Sequence, residues 1–374
     1  MSEPEERRRG KALPHSARAG ERSEPEQAGT REHVTREARV SRRSEGEREA
    51  REREASEREM DHVVVLSGGL SYEREVSLRS GRRVTEALRS AGVEVVPRDA
   101  DAALLGLLAA DPPDAVFPVL HGAAGEDGAI RDVLELMGIP YVGARPDACR
   151  AAWDKPTAKA LVRAAGLNTP ASVALPKEVF HDLGASVVLD LVVTKLGLPL
   201  FVKPSRGGSA LGAAAVREAR ELSAAMVGCF AYGDTALIEQ YVSGTEIAVS
   251  VVEVAGEGGV GPRALPAVEI VPEGGLYDYT ARYDAGGTEF FTPARIPAAA
   301  AQAAAEAALT AHAALGLRHL SRTDLIVDAV GGVHFLEVNV APGMTATSLL
   351  PLAVQSADLD LGLLCKDLLL RCFL

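Results

Sequence analysis

Residues 62–90 read HVVVLSGGLSYEREVSLRSGRRVTEALRS, and their pattern sets the fold class. The run Val63–Leu66 is continuously apolar and β-branched, which is typical of a strand buried on both faces of a parallel sheet. A glycine-rich turn follows, and apolar residues then recur at helical spacing from about Val76 to Ser90. This order of strand, glycine turn and helix predicts a doubly wound α/β domain.

The alternation continues to the end of the chain and predicts three α/β segments with bounds 60–149, 150–239 and 240–374. Further strands are predicted at Val93–Pro97, Ala115–Pro118, Leu200–Lys203, Ala213–Val216, Ala236–Glu239, Ile247–Val254, Ala267–Ile270, Asp324–Val327 and Val333–Val338. The other predicted helices are Lys155–Ala165 and Ala298–Leu315, the second an alanine-rich run of strong helix formers.

Residues 1–59 differ from the rest because they hold 15 acidic and 15 basic side chains and almost no aliphatic ones. Such a segment cannot bury enough apolar surface to offset the entropy of ordering it. We expect an extension that is disordered or is not part of the native protein. In the second case translation would begin at Met60.

The composition excludes some classes of function. The net charge is −12, whereas a protein that binds nucleic acid through phosphates needs an excess of Lys and Arg. The four cysteines lack metal-site spacing, and no apolar run reaches the roughly 20 residues of a membrane span. We therefore expect a soluble enzyme of the reducing cytoplasm that binds neither nucleic acid nor membrane.

Polar residues on the last two predicted strands form the clearest candidate site. Asp324 opens one strand, and Glu337 and Asn339 lie two apart on the next, so they share a face of the sheet. Two carboxylates and an amide oxygen suit Mg²⁺ that is bound together with substrate phosphates. The alternative is that all three are ordinary polar residues at strand ends.

A glycine-rich loop follows the strand that carries Lys203. Its residues, 205–212, read SRGGSALG, and its backbone N–H groups could cradle phosphate oxygens beside the lysine. A surface hairpin would have the same composition. Glu239 and Glu246 flank a turn and could accept hydrogen bonds from adenine or ribose, although a solvated loop would also carry such residues.

Two acidic motifs lie at strand ends of the first segment. Glu73 stands in SYEREVSL at 71–78, and His121 opens HGAAGEDG at 121–128. Open α/β sheets bind ligands at this edge, which favours a substrate site. Helix caps and loop residues are the alternative for both positions.

Together, in this order, the motifs resemble those of the D-alanine–D-alanine ligases of the ATP-grasp superfamily. The resemblance covers about residues 60–355. Its remaining pieces are WDK at 153–155, KPSRGGS at 203–209, YDYTARY at 277–283, SRTD at 321–324 and EVNVAPGMTATSLLP at 337–351. It implies a Rossmann-like first domain and two α+β lobes that clasp ATP, in a homodimer that joins two D-alanines through an acyl phosphate for peptidoglycan synthesis.

The resemblance also implies a role for each matching residue. The residues that would contact the nucleotide are Lys155, Lys203, Ser205, Gly208, Glu239, Tyr241, Val242, Glu246 and Arg282. The ligands of two Mg²⁺ or Mn²⁺ ions would be Asp324, Glu337 and Asn339. The residues that would contact the first D-alanine, or close a loop over it, are Glu73, His121, Ser209 and Tyr283. Ser348 and Leu349 would bind the carboxylate of the second D-alanine. Arg322 and the backbone N–H of Gly343 would stabilise the oxyanion.

The chain departs from the family pattern at two loop positions. Arg282 stands where lysine is usual, and Ala210 replaces the second of two serines. These departures leave a specialised or non-catalytic ATP-grasp paralogue as an alternative, which the intact set of acids and lysines disfavours. A D-alanine–D-lactate ligase, which would use the same acyl phosphate, is a second alternative, and Tyr283 disfavours it.

Overall fold

The computed structural model describes residues 60–256, 259–273 and 287–374. Over these ranges the chain forms three β-sheets covered by helices. The predicted α/β fold is confirmed. The predictions for residues 1–59, for Arg282 and for Tyr283 lie outside the described residues.

The first sheet is parallel, with strand order β2-β1-β3. Its central strand is fully buried, which explains the continuous apolar run that predicted it. Its strands are β1 (Val63–Ser67), β2 (Val95–Asp99) and β3 (Ala115–Pro118). The helices of this segment are α1 (Arg74–Ser90), α2 (Leu104–Ala110), α3 (Ala123–Glu126), α4 (Ala129–Leu136) and α5 (Pro146–Trp153).

The next helix, α6 (Lys155–Ala164), begins where the side chain of Asp154 accepts a hydrogen bond from the Thr157 N–H, an N-cap. The second sheet follows it and is antiparallel, with order β4-β7-β5-β6. Its strands are β4 (Ser172–Pro176), β5 (Leu200–Pro204), β6 (Ala214–Val216) and β7 (Thr235–Gln240). Its helices are α7 (Lys177–Leu183), α8 (Ala185–Leu196) and α9 (Ala219–Phe230).

The third sheet is antiparallel, with order β11-β10-β8-β12-β13 and β9 paired to β8. Alanines of one long helix pack closely on it because their side chains are small. The strands are β8 (Thr245–Gly256), β9 (Gly259–Ala264), β10 (Val268–Pro272), β11 (Thr288–Phe291), β12 (Leu320–Val327) and β13 (Val333–Asn339), and the helix is α10 (Ala298–Ala314).

Two helices, α11 (Leu349–Ser356) and α12 (Leu361–Leu370), and a 3₁₀ turn (Arg371–Phe373) end the chain. Leu364 and Leu368 of α12 join Val84 and Leu88 of α1 in one buried cluster. The end of the chain therefore completes the core of the first segment, while the predicted segment bounds stay a prediction. In the described ranges no helix is both long and apolar enough to cross a bilayer.

We expect Leu368→Ala to lower the free energy of unfolding by about 2–5 kcal/mol, because Leu368 is fully buried and its loss leaves a cavity. Leu363→Ala on the same helix is the matched control, since Leu363 is 61% exposed. Urea denaturation of both variants measures the effect. Equal midpoints would contradict the docking of α12 on α1.

Candidate functional site

Two adjoining cavities lie between the sheets. The larger, of about 390 Å³, lies between the second and third sheets, and the smaller, of about 150 Å³, adjoins the first segment. We call them the large and the small cavity. Four residues line both: Lys155, Gly207, Gly208 and Glu337.

A cluster of lysines and glutamates forms the base of the large cavity. The carboxylate of Glu239 binds Lys159 through Oε1 and Lys203 through Oε2, the second at 2.9 Å. Glu337 Oε2 lies 3.5 Å from Lys155 Nζ and 3.6 Å from Lys203 Nζ. Lys203 therefore connects a carboxylate of the second sheet with one of the third.

Burial and charge act in opposite directions on these groups. Burial raises the pKa of Glu239, but Lys203 and Lys159 outweigh it and hold that pKa below its usual range. Burial lowers the pKa of Lys203, but Glu239 and Glu337 outweigh it and raise that pKa. Burial lowers the pKa of Lys159 to about 8 against the pull of Glu239. The large cavity is lined by Lys155 and Lys203 and by the acids Glu239, Glu246, Glu269, Asp324 and Glu337, so an anionic ligand there would find positive charge at these two lysines.

The three predicted metal ligands lie together on β12 and β13. Asp324 and Glu337 are directly opposite in the register, and Asn339 follows two residues after Glu337. Both carboxylate oxygens of Asp324 accept hydrogen bonds from Arg322, at 2.7 and 2.8 Å. Asn339 Oδ1 accepts one from the Ala341 N–H at 2.8 Å. Carboxylate and amide oxygens have further lone pairs, so the set still fits a hard cation.

Protein side chains alone do not complete a metal site there. In the described part of the chain, no group of three or more His, Cys, Asp and Glu is placed to hold a metal ion. The two carboxylates and one amide need further oxygens, and Mg²⁺ in proteins usually takes these from substrate phosphates and water. The donor set thus fits Mg²⁺ that arrives with a nucleotide.

Glu73 and the glycine-rich loop face each other across the small cavity. Ser209 Oγ donates a hydrogen bond to Glu73 Oε1. A Cβ at Gly122 would come within 2.8 Å of Glu73 Oε2, and Gly122 has a φ of +69°, so glycine is required there. Ser209 and Ala210 also have positive φ, of 52° and 54°, which marks a strained loop held in place by its contacts.

His121 is buried and its ring is fixed by two hydrogen bonds. Nδ1 donates to the Ala341 carbonyl at 3.0 Å, and Nε2 accepts from Ser80 Oγ at 3.1 Å. Ser80 Oγ in turn accepts from the Met344 N–H. Burial lowers the pKa of His121, so the ring is neutral at pH 7 and joins the first segment to the 341–344 loop.

The far side of the small cavity is the start of helix α11. Ser348 and Leu349 line it, together with Gly343 and Arg322. Ser348 Oγ accepts a hydrogen bond from the Thr345 N–H at 3.0 Å and fixes the entry to the helix. A helix N-terminus presents unpaired N–H groups and partial positive charge, which suits a carboxylate.

Of the remaining residues predicted to contact the nucleotide, five line the large cavity and Ser205 does not. Gly208, Glu239, Tyr241, Val242 and Glu246 line the large cavity, which also has apolar walls from Phe201, Ile270 and Leu336. Ser205 lines neither cavity. It is the buried first residue of the glycine-rich loop, and its carbonyl accepts a hydrogen bond from the Lys155 N–H.

Sequence reasoning missed two buried residues of the site. Lys159 had no assigned role, yet it lies one helical turn from Lys155 and therefore on the same face of α6. Glu126 was part of the HGAAGEDG motif without an assigned role. It lines the small cavity, and its Oε1 accepts a hydrogen bond from the Gly122 N–H at 2.8 Å.

Comparison with known proteins gives the family. The model of the D-ala D-ala ligase C-terminus matches residues 161–370, and that of the N-terminus matches residues 106–144. The D-alanine–D-alanine ligase of Anaeromyxobacter dehalogenans strain 2CP-C is 43% identical over 307 residues, which are 82% of this chain and 95% of that protein. The chain belongs to the D-alanine–D-alanine ligase family.

Solved structures of D-Ala ligases share its fold. The VanG D-Ala:D-Ser ligase of Enterococcus faecalis superposes with a TM-score of 0.71 at 28% identity, over 84% of this chain and all of that one. The Bacillus anthracis D-alanine–D-alanine ligase complexed with ATP gives 0.67 at 29% identity, over 84% and 96%. The ATP-grasp architecture expected from the motifs is therefore confirmed.

The ionisation of Glu126 gives a pH-dependent stability that can be tested. Burial, with the nearby charge of Glu73, raises its pKa to about 8, against 4.5 for an ordinary glutamate. The folded state binds the Glu126 proton more tightly than the unfolded state does. This contribution to the free energy of unfolding is fully present below pH 4.5 and is lost as the pH rises to about 8. We expect Glu126→Gln, which stays neutral, to gain stability relative to the parent by about 1.4 kcal/mol per pH unit over that window.

Urea denaturation of the parent and Glu126→Gln proteins at pH 5, 7 and 9 measures this difference. Glu94→Gln is the control, since Glu94 is exposed and its replacement should leave the difference constant. If the difference in stability between the parent and the Glu126→Gln protein does not change with pH, Glu126 is ionised throughout.

Proposed function

We propose that this protein is a D-alanine–D-alanine ligase that couples ATP cleavage to dipeptide formation. The observation that carries the proposal is the shared wall of the two cavities: Lys155, Gly207, Gly208 and Glu337 belong to both. A nucleotide in the large cavity and an amino acid in the small one would therefore meet at this wall. That arrangement is what phosphoryl transfer to a carboxylate requires.

The first step makes the carboxylate of one D-alanine electrophilic. A carboxylate oxygen attacks the γ-phosphorus of ATP, the bond to the β-phosphate oxygen breaks, and D-alanyl phosphate and ADP form. Lys155 and Lys203, the two lysines that line the large cavity, would stabilise the phosphates. Glu73 would hold the ammonium group of this D-alanine, since it is the acid that faces the glycine-rich loop.

The second step captures the acyl phosphate. The amine of another D-alanine attacks the acyl carbon, a peptide bond forms, and phosphate and a proton leave. Arg322 and the backbone N–H of Gly343 would stabilise the oxyanion, and the start of α11 at Ser348 and Leu349 would hold the second carboxylate. His121, neutral and fixed, would lie beside the first substrate.

Two magnesium or manganese ions belong to the proposal, because Asp324, Glu337 and Asn339 offer the hard oxygens that such ions bind. When bound, the metals supply positive charge at the phosphates that lysines alone do not match. Glu239, Tyr241, Val242 and Glu246 line the part of the large cavity left for the adenosine. Each carboxylate oxygen of Glu239 already binds a lysine, so a contact with the adenosine would share one of these oxygens with a lysine.

A cytoplasmic location and a homodimer complete the proposal. The substrates and ATP are cytoplasmic metabolites, and the four cysteines are free thiols. Light scattering on the purified protein would measure the assembly state.

The decisive experiment incubates the protein with ATP, Mg²⁺ and D-alanine and detects the dipeptide, ADP and phosphate by mass and colorimetric assay. One dipeptide per ADP is the expected result. Parallel reactions with D-serine or D-lactate as the second substrate distinguish this ligase from relatives that make other products. ATP binding without turnover for any of these substrates would favour a non-catalytic paralogue and overturn the proposal.

We expect Glu337→Gln to lower dipeptide formation by at least about 100-fold, since it removes a negative metal ligand while preserving the shape of the side chain. Excess Mg²⁺ should restore part of the activity, because the lost interaction is with the metal. Glu306→Gln, on the exposed face of α10, is the control and should turn over at the parent rate. A Glu337→Gln enzyme as fast as the parent would refute the metal assignment and leave the ligase assignment standing.

A further inference from the structure

Two exposed tyrosines meet beside the small cavity. Tyr72 immediately precedes Glu73 and is 81% exposed, and Tyr232, which follows α9, is 48% exposed. Their ring centroids are 6.4 Å apart with an interplanar angle of 70°, an edge-to-face contact. The pair joins the loop of the first segment to the second sheet's segment, outside any hydrophobic core.

Tyr232 also supports the glycine-rich loop. A Cβ at Gly212 would come within 2.8 Å of the Tyr232 ring, so the ring lies directly against the end of the loop. Gly212 has a φ of +71°, a further reason for glycine at this position. The Tyr232 N–H donates to the Cys229 carbonyl at 3.0 Å and fixes the turn that carries the ring.

The glycine-rich loop is therefore held at two points by one neighbouring loop. Glu73 accepts the hydrogen bond from Ser209, and Tyr72 contacts the ring that supports Gly212. Because Tyr72 and Glu73 are adjacent in sequence, movement of the first-segment loop would release both points together. The positive φ angles of Ser209 and Ala210 indicate that the loop needs such external support.

We propose that Tyr72 and Tyr232 are positioning residues that latch the glycine-rich loop closed over the amino acid and its acyl phosphate. The inference rests on the proposed function and adds to it a contact that neither reacts nor binds substrate. Both rings are largely exposed, so the latch contributes little to the folded core. Its effect is on how long the site stays closed to water.

Loss of the latch would change the products. When the loop opens on D-alanyl phosphate, water adds its oxygen to the acyl carbon, the bond to the phosphate oxygen breaks, and D-alanine, phosphate and a proton are released. ATP is then consumed without a peptide bond. The ratio of phosphate to dipeptide, which is one for a coupled enzyme, rises above one.

The test compares Tyr72→Ala, Tyr232→Ala and the double variant with the parent. An exposed edge-to-face pair corresponds to about a 2- to 10-fold effect, so we expect the KM for D-alanine to rise by that factor and phosphate to exceed dipeptide. The double variant should be no worse than Tyr232→Ala, because Tyr72 acts on this end of the loop through the Tyr232 ring.

Two controls separate the latch from simple damage. Leu70→Ala removes a 98% exposed side chain two residues from Tyr72 and should behave as the parent does. Tyr72→Phe and Tyr232→Phe keep both rings and should also stay coupled. Coupled turnover in both alanine variants, additive effects in the double variant, or phenylalanine variants as impaired as the alanine ones would each overturn the proposal.

Hydrogen exchange tests the latch independently of catalysis. Amides 207–212 should exchange about 2- to 10-fold faster in both alanine variants than in the parent and in Leu70→Ala, with no ligand present. If the parent makes no dipeptide, the proposed function fails, and this measurement still decides on the latch. Unchanged exchange in both alanine variants would overturn it.

Discussion

The buried lysine–glutamate cluster is the interaction on which the site depends. Burying charges is costly unless they are paired, and Glu239 is paired with Lys159 and Lys203. Helix α6 supplies both Lys155 and Lys159 from one face, a turn apart, and the two reach carboxylates on different sheets. The helix thereby fixes the spacing of the second and third sheets, and that spacing determines the width of the large cavity.

The same cluster explains why the two cavities share a wall. Lys155 Nζ donates to the Gly207 carbonyl at 2.6 Å while it lies near Glu337, so it holds the glycine-rich loop against β13. At Gly207 and Gly208 the loop adds only backbone to the wall between the two cavities, and a Cβ at 208 would come within 3.3 Å of Glu73 Oε2. The side chains of Lys155 and Glu337 complete this wall.

Local pattern was enough for most of the strands and for helices α1, α6 and α10, whereas the other nine helices of the described residues were not predicted. Ala115–Pro118 was predicted with its observed bounds, since a buried strand has a continuous apolar signal, whereas β4 was missed because its residues are half-exposed. Lys159 and the docking of α12 on α1 were not predictable, because they depend on contacts between residues far apart in sequence. Glu126 was visible in its motif, but its burial and raised pKa come only from the packed fold.

The two departures from the family pattern differ in what the structure says of them. Arg282 lies outside the described residues. Ala210 lacks the hydroxyl of a second serine, yet the loop around it is already held by Ser209 on one side and by the Tyr232 ring at Gly212 on the other. Neither of these two contacts uses the side chain at 210, so the alanine leaves both in place.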